Sequence, residues 1–420
     1  MSIRASGWST VQQCVLAALA TACAGRAPEA PPPAGGVGRT VLLISIDGFR
    51  WDYLDRGLTP NLSRLAREGV RAEALVPVFP TKTFPNHYTI VTGRYPARHG
   101  IVSNVLTAPD IGRRLSLFDP EAVRDSSFYL ADPMWVTSER QGRRTAPLFW
   151  PGSEAPIGGV RPSYALPYDS RMPDTARIGW MLEHLELPPE RRPVFLTLYF
   201  GLVDNAGHGY GPDAPATDTA IAVADRLIGR VMAGLERIGR GDVNVVVVSD
   251  HGMASTGPDR VIWLDEYVAE DAMEVDEMNT LLTAWPAPGL EDSVHRALER
   301  APHLTVYRKG ELPERFHLES PRVAPIVALA DEGWTITRRT AEEPAPNIIL
   351  GNHGYDDALP SMGGLFVARG PAFRQGLLVP AFRNIHIYPL LAEVLGIEPE
   401  ESDGSIDTLG YVLSTSALVQ

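Results

Sequence analysis

Four apolar runs along the chain predict buried β-strands. They are residues 40–46, 194–200, 243–248 and 365–368, and runs of this kind are typical of a parallel sheet that is covered on both faces. Segments with helical spacing and with cap or stop residues predict amphipathic helices over residues 59–69, 174–187, 218–238 and 384–396. The alternation of the two patterns predicts an α/β fold with a mostly parallel central sheet between helix layers.

Two long segments interrupt this alternation, at residues 104–173 and at residues 261–343. The first is rich in Pro, Trp and Tyr, and we expect it to roof a site at the edge of the sheet. We therefore predict one main domain over residues 39–400 that carries both segments as insertions. A C-terminal tail would follow over residues 401–420.

Side chains able to bind a metal stand at the ends of the apolar runs or in Gly-rich turns. They are Asp47, Thr83, Asp204, His208, Asp250, His251 and His353. Open α/β folds carry their chemistry at the edge where strands end. Three of the ten histidines lie in Asp-x3-His, Asp-His-Gly and Asn-His-Gly contexts. Three Asp, three His and one hydroxyl would suit two divalent cations of borderline softness.

A short helix is predicted to begin next to Thr83. Pro85 stands in its first turn, Tyr88 and Val91 are spaced for a buried face, and Gly93 is a stop. A hydroxyl there feels the positive end of the helix and its free N–H groups. Neutral threonine is unreactive, so a bound metal and the helix terminus would have to favour the alkoxide. Taken alone, the segment also fits a plain N-cap threonine.

Together the motifs resemble the nucleotide pyrophosphatase/phosphodiesterase family of the alkaline phosphatase superfamily. The resemblance runs from about residue 40 to about residue 396 and follows the family's motif order. It rests on Ile46-Asp47-Gly48, Thr81-Lys82-Thr83-Phe84-Pro85-Asn86-His87-Tyr88, Val91-Thr92-Gly93, Tyr95-Pro96, His99-Gly100-Ile101, Asn104, Asp204-x3-His208, Ser249-Asp250-His251-Gly252-Met253 and Asn352-His353-Gly354.

The resemblance implies an alkaline phosphatase-like fold, a small accessory subdomain within residues 261–343, and two zinc ions. One zinc ion would be held by Asp204, His208 and His353, and the other by Asp47, Asp250 and His251. Thr83 would bridge the two ions as nucleophile. Asn104, with a backbone N–H, would cradle a phosphate oxygen.

The implied activity is hydrolysis of nucleotide phosphodiester and phosphoanhydride bonds to nucleoside 5'-monophosphates through a phosphothreonine. Phe84 and Tyr168 are predicted to stack on the base, since aromatic stacking accepts any base. Tyr199 would line the same slot or fill the sheet. A phosphonoacetate hydrolase and a lipid-headgroup phosphodiesterase are alternatives that share the ligands and the threonine. A periplasmic metal- or nucleotide-binding protein without turnover is a third alternative, which would need no nucleophile at Thr83. The nucleophile signatures of sulfatases (Cys-x-Pro-x-Arg) and phosphomonoesterases (Asp-Ser-Ala) are absent from the sequence.

The amino-terminal residues predict export. Arg4, an apolar run over residues 15–22 and small residues around Cys23 indicate a signal peptide over residues 1–24, followed by a Pro/Gly-rich tether over residues 25–38. Residues 19–23 also partly resemble a lipobox, so the protein would be periplasmic either without an anchor or with a lipid anchor on Cys23. The main domain contains no cysteine, and the net charge of −13 gives no nucleic-acid-binding footprint. The sequence makes no prediction of oligomeric state.

Overall fold

The computed structural model describes residues 39–339 and 348–414. The predicted signal peptide, the tether and Cys23 lie outside the described residues. The strands in the described part are β1 (Thr40–Ile46), β2 (Val70–Ala72), β3 (Leu75–Val76), β4 (Val105–Ala108), β5 (Arg113–Ser116), β6 (Thr145–Pro147), β7 (Phe195–Phe200), β8 (Val243–Val248), β9 (Ala254–Ser255), β10 (Val261–Trp263), β11 (Met273–Met278), β12 (Leu281–Pro286), β13 (Leu304–Arg308), β14 (Ile326–Ala330), β15 (Thr335–Thr337), β16 (Gly351–Asn352), β17 (Phe366–Arg369), β18 (Leu377–Val379) and β19 (Phe382–Arg383).

The α-helices in the same residues are α1 (Pro60–Glu68), α2 (Thr83–Thr92), α3 (Pro96–His99), α4 (Pro120–Val123), α5 (Met134–Arg140), α6 (Asp174–Leu185), α7 (Leu202–Tyr210), α8 (Pro215–Arg237), α9 (Glu291–Leu298) and α10 (Ile387–Leu395). Within the described residues, no helix combines the length and the apolarity that crossing a membrane requires.

The central sheet has seven strands in the order β18-β2-β17-β8-β1-β7-β6. Strands β8, β1, β7 and β6 are mutually parallel, whereas β17 is antiparallel to both of its neighbours, β8 and β2. The prediction of an α/β fold with a mostly parallel sheet is therefore confirmed. The expectation that the run at residues 365–368 is a parallel strand is wrong. After β8, the chain stays beyond the carboxyl edge of the sheet until β17 re-enters from that edge, so β17 has to run antiparallel.

Helices cover both faces of the central sheet. Alternate residues of β1 face opposite helix layers: Val41 and Leu43 belong to one buried cluster, and Leu42 and Ile44 belong to the other. The first cluster includes residues of α2, α5 and α10, and the second includes residues of α1, α6 and α8. Burial on both faces explains why the strand sequences are continuously apolar.

A separate four-stranded antiparallel sheet, β11-β12-β14-β13, lies within residues 261–343. It packs with α9 around its own buried cluster, which includes Leu282, Val294 and Ile326. The resemblance implied an accessory subdomain in this segment. We use the name accessory subdomain for residues 273–330.

Two predicted boundaries need correction. Within the supposed insertion at residues 104–173, Thr145–Pro147 form β6, the edge strand of the central sheet. Residues 401–414 are not a separate tail, because Leu409, Val412 and Leu413 are buried in the main core. Both segments are short or rich in turn residues, so their sequences carry little strand or helix periodicity.

Candidate active site

Three parallel strands deliver acidic side chains to one edge of the central sheet. Asp47 follows β1, Asp204 lies in the first turn of α7 directly after β7, and Asp250 follows β8. Gly48 has a φ of 66°, and a Cβ at this position would lie 2.9 Å from Asp204 Cα. Glycine therefore supplies both the left-handed turn and the space that lets the first two strand ends approach each other.

The predicted ligands converge at this edge in two overlapping groups. The donor atoms of Asp47, Asp250 and His251 lie within 4.8 Å of one another, as do those of Asp204, His251 and His353. The first group matches the prediction. In the second, the structure brings His251 close to Asp204 and His353, which were predicted to join His208.

His208 nevertheless lies beside the second group. Its Nε2 is 3.3 Å from Asp204 Oδ1, and its ring centroid is 5.1 Å from that of His353. The rings of His251 and His353 stack with centroids 3.5 Å apart. The three imidazoles and the carboxylates thus form one continuous cluster. Its geometry is compatible with more than one assignment of ligands to metal ions.

One oxygen atom of each carboxylate is buried and has no hydrogen-bond partner among the described residues: Asp47 Oδ1, Asp204 Oδ1 and Asp250 Oδ2. Imidazole nitrogens lie nearby without a well-directed hydrogen bond; His251 Nε2, for example, is 3.0 Å from Asp250 Oδ2 and 3.5 Å from Asp47 Oδ1. Buried carboxylate oxygens are normally hydrogen-bonded or coordinated. This donor set therefore fits divalent cations.

The buried charges shift one another's pKa values. Burial and repulsion by Asp250 and Asp204 raise the pKa of Asp47 well above its usual value. Burial opposes the charged form of Asp250, but His251 and His87 outweigh it and hold the pKa of Asp250 well below its usual value. Burial also opposes protonation of His251, yet Asp250 and Asp47 raise its pKa to about 9. Without a cation, His251 therefore carries a proton at neutral pH.

Thr83 stands at the amino terminus of α2 and faces this cluster. Its Oγ1 lies 3.4 Å from His251 Nε2. Helix α2 begins at Thr83 itself and ends at Gly93, which has a φ of 65° and donates its N–H to Thr89 O. The structure therefore presents the hydroxyl at the positive end of a buried helix.

Two buried side chains behind Thr83 were part of the motif but were not assigned a role from the sequence. Asn86 Nδ2 donates to Pro80 O at 2.9 Å and so braces the segment that leads to Thr83. His87 Nδ1 lies 2.9 Å from Thr83 O and 3.3 Å from Asp250 Oδ2. Their spacing of three and four residues after Thr83 was the available signal, because such residues share a helix face.

Asn104 lies next to the same helix terminus. Its Oδ1 accepts the Phe84 N–H at 2.8 Å, which ties it to the residue after Thr83. The Nδ2 atom of this amide is a hydrogen-bond donor. Asn104 can therefore donate an N–H near the Thr83 hydroxyl.

Of the three aromatic side chains predicted to bind substrate, Phe84 is in a different environment from the one predicted. Phe84 has no exposed surface and packs 6.1 Å from Tyr129, so its predicted stacking on a base is contradicted: the ring belongs to the core. Tyr168 is 50% exposed, with its ring 6.4 Å from that of Tyr199. Tyr199 donates its hydroxyl to Asp47 Oδ2 at 2.6 Å, so it orients a candidate ligand.

Comparison with known proteins identifies the family of this chain. The family described as type I phosphodiesterase/nucleotide pyrophosphatase matches residues 41–356. The chain belongs to this family. Human ectonucleotide pyrophosphatase/phosphodiesterase family member 5 is 37% identical over 381 residues, which cover 90% of this chain and 78% of that protein. The bis(5'-adenosyl)-triphosphatase of Bos taurus is 36% identical over 392 residues, which cover 92% of this chain and 83% of that protein.

Solved structures of family members are similar along their whole length. Murine ectonucleotide pyrophosphatase/phosphodiesterase 5 has a TM-score of 0.86 and 37% identity, covering 89% of this chain and 100% of that chain. A variant of the murine protein, described as inactive, has a threonine replaced by alanine and is in complex with AMP; its TM-score is also 0.86, with 36% identity, and it covers 89% of this chain and 100% of that chain. Family membership confirms the resemblance and the prediction of a hydrolase acting on phosphoric diesters. The family is metal-dependent, which agrees with the candidate ligand groups.

Metal binding by this phosphodiesterase family member should release protons at pH 7. His251 is protonated there in the absence of a cation because its pKa is raised to about 9, whereas an imidazole ligand must be neutral. Calorimetric titration of the chelator-treated protein with zinc, in buffers of different ionisation enthalpy, should show release of at least about one proton per chain. The release should decline as the pH rises through about 9. Heats independent of the buffer at pH 7 would contradict this reading of the site.

Replacement of Phe84 should act mainly on stability. Phe84→Ala removes a fully buried ring and should lower the free energy of unfolding by about 3–5 kcal/mol. Tyr168→Ala removes a half-exposed ring and should cost less than about 1 kcal/mol. Urea unfolding of both variants measures the difference. A Phe84→Ala protein as stable as the wild type would mean that the ring is not part of the core.

Proposed function

We propose that this family member hydrolyses phosphodiester and phosphoanhydride bonds of nucleotides to nucleoside 5'-monophosphates, through a phosphothreonine on Thr83. The observation that carries the proposal is the Thr83 hydroxyl, which lies 3.4 Å from His251 and next to three carboxylates, each with one buried oxygen that has no hydrogen-bond partner among the described residues. Two relatives support it: the murine variant described as inactive that lacks one threonine and binds AMP, and the bovine protein named a bis(5'-adenosyl)-triphosphatase.

We propose further that two zinc ions occupy the site. One would be held by Asp47, Asp250 and His251, and the other by Asp204, His208 and His353. A mixture of imidazole and carboxylate donors suits zinc better than magnesium, which prefers oxygen ligands and keeps its water. When bound, the ions supply the positive charge that lowers the pKa of the Thr83 hydroxyl and balances the phosphoryl oxygens. The calorimetric titration described above also counts the ions.

The chain's own groups then orient the reaction. Helix α2 aims the Thr83 oxygen at the phosphorus atom, and His87 and Asn86 hold the helix and the preceding segment from behind. Asn104 donates from its amide to a non-bridging phosphate oxygen, where negative charge increases in the transition state. Departure of the leaving group leaves a phosphothreonine, which water hydrolyses in the second step.

Tyr168 is the aromatic ring best suited to contact a nucleobase. It is half-exposed and stands near Tyr199, whose hydroxyl is bonded to Asp47. The backbone N–H of Tyr168 donates to Glu154 Oε1 at 3.0 Å, which restrains the loop that carries the ring. A single exposed ring can stack on any base, so we propose recognition of the base by its face and not by its edge.

We also propose that the protein is exported to the periplasm. The support is the sequence of residues 1–24, in which a basic residue precedes an apolar run and small residues. The relatives named above as ectonucleotide enzymes are consistent with a site that works outside the cytoplasm. Cys23 would carry a lipid if the lipobox alternative applies.

Thr83→Ala and Thr83→Val should fold, bind metal and lose at least about a thousandfold in kcat, since the nucleophile is removed while the ligands remain. Thr83→Ser should retain part of the rate. The measurement is hydrolysis of p-nitrophenyl thymidine 5'-monophosphate, with metal content determined in parallel. Acid quenching of the wild type with labelled substrate should trap phosphate on Thr83. Near-normal turnover by Thr83→Ala would show that water attacks directly.

Phosphodiesters should be hydrolysed faster than phosphomonoesters by about a hundredfold or more. A monoester dianion brings one more negative oxygen, and Lys82, the cation next to Thr83, is already paired with Glu277 at 3.4 Å. Rates on p-nitrophenyl phosphate and p-nitrophenyl thymidine 5'-monophosphate give the ratio. Including phosphonoacetate and a lysophospholipid tests the alternative substrates. Equal rates on the first two compounds would refute the diesterase proposal.

A further inference from the structure

One carboxylate of the accessory subdomain contacts residues next to the candidate active site. Glu277 is in β11, shortly before the turn to β12. Its Oε1 lies 3.4 Å from Lys82 Nζ, and its Oε2 accepts a hydrogen bond from Ser103 Oγ at 3.0 Å. Lys82 directly precedes Thr83, and Ser103 directly precedes Asn104. One side chain therefore contacts the neighbours of both groups proposed to act on the phosphate.

The contact is shielded from water. The Lys82 side chain is 4% exposed and that of Glu277 is 13% exposed. Exposed ion pairs contribute little because solvent screens them, whereas removing one partner from a buried pair leaves an uncompensated charge. The pair is thus able to restrain the backbone segments that it joins.

The Lys82 side chain lies against Gly354. Lys82 and Lys309 are the only lysines in the 420 residues, and the remaining basic side chains outside the histidines are arginines. The Lys82 alkyl chain passes against Gly354, where a Cβ would collide with Lys82 Cε and would lie 2.5 Å from Thr280 Oγ1. Glycine at position 354 therefore leaves the space that the end of the Lys82 side chain occupies beside Glu277.

Hydrogen bonds of the preceding residue hold the part of β11 that carries Glu277. Asp276, the preceding residue, accepts from the Thr107 N–H and from Thr107 Oγ1, both at 2.8 Å, and from Trp285 Nε1 at 2.7 Å. The two bonds with Thr107 fasten β11 to β4, the strand that begins directly after Asn104, and the bond with Trp285 fastens β11 to β12. Glu277 is therefore presented by a braced strand and not by a free loop.

We infer that Glu277 is a positioning residue that sets the distance between the Thr83 hydroxyl and the Asn104 amide. It holds the residues before them, while the Phe84 N–H bond to Asn104 Oδ1 holds the other side. The inference rests on the proposed function for the roles of Thr83 and Asn104. Because displacement of a reacting group by about 1 Å can cost on the order of a hundredfold in rate, this restraint matters for kcat.

The first test compares Glu277→Ala with a matched control on the same strand. Glu277→Ala should lower kcat on p-nitrophenyl thymidine 5'-monophosphate by about 10- to 100-fold and change KM by less than about threefold. Glu277→Gln, which keeps an acceptor for Ser103, should recover most of the rate. The control is Glu274→Ala, an exposed residue of β11, and it should leave kcat unchanged. A Glu277→Ala protein with wild-type kcat would overturn the inference, whether or not its Tm is lowered.

A double-mutant cycle separates positioning from general damage. If Glu277 acts by positioning Asn104, the loss of kcat caused by Glu277→Ala should shrink to less than about threefold in an Asn104→Ala background. The reason is that the effects of coupled groups are not additive. Fully additive losses would overturn the inference. If Glu277→Ala does not fold, Ser103→Ala replaces it in the cycle with the same criterion. A wild type without diesterase activity would refute the proposed function, whereas additivity in an active enzyme refutes only the role of Glu277.

Discussion

The close approach of three carboxylates at one edge of the central sheet, two of them buried, is the constraint on which the rest of the site depends. Asp47 and Asp250 are almost inaccessible to solvent, and Asp204 lies beside them. Each buried ion loses several kcal/mol of hydration, so the cluster is stable only with positive charge among the carboxylates. Protonation of histidine supplies part of that charge in the absence of metal, and divalent cations would supply it better. Burial raises the pKa of Asp47, and the neighbouring carboxylates raise the pKa values of both Asp47 and His251 because they favour protonation of both groups.

The polar groups around the carboxylates reduce their freedom to move. Tyr199 holds one oxygen of Asp47, His87 stands between Asp250 and the Thr83 carbonyl, and His353 Nδ1 lies 2.8 Å from Thr81 O. These contacts orient the ligands and leave one oxygen of each carboxylate for coordination. Outer partners of this kind commonly fix ring orientation and ligand geometry in metal sites. The helix that carries Thr83 is therefore tied directly to the ligand cluster.

The accessory subdomain contributes to the site as well as to the fold. Thr280 Oγ1 donates to His353 O at 2.7 Å, and Asn352 Nδ2 donates to Asn279 Oδ1. The turn between β11 and β12 thus supports the segment that supplies the last histidine, while Glu277 supports the segments of Thr83 and Asn104. A subdomain inserted between β8 and β17 is well placed to support the site. The strand β8 ends, and the antiparallel strand β17 begins, at the edge of the sheet that carries the ligands.

The main strands, the seven candidate ligands and the family can be predicted from the amino-acid sequence, because these features are local: an apolar run followed by a carboxylate, or a motif of a few residues. The burial of Phe84, the antiparallel direction of β17 and the hydrogen bond from Tyr199 to Asp47 become apparent only in the folded protein. The same holds for the contact between Ser103 and Glu277, which are 174 residues apart. Such features depend on which distant segments pack together, and neither periodicity nor motif spacing encodes that pairing.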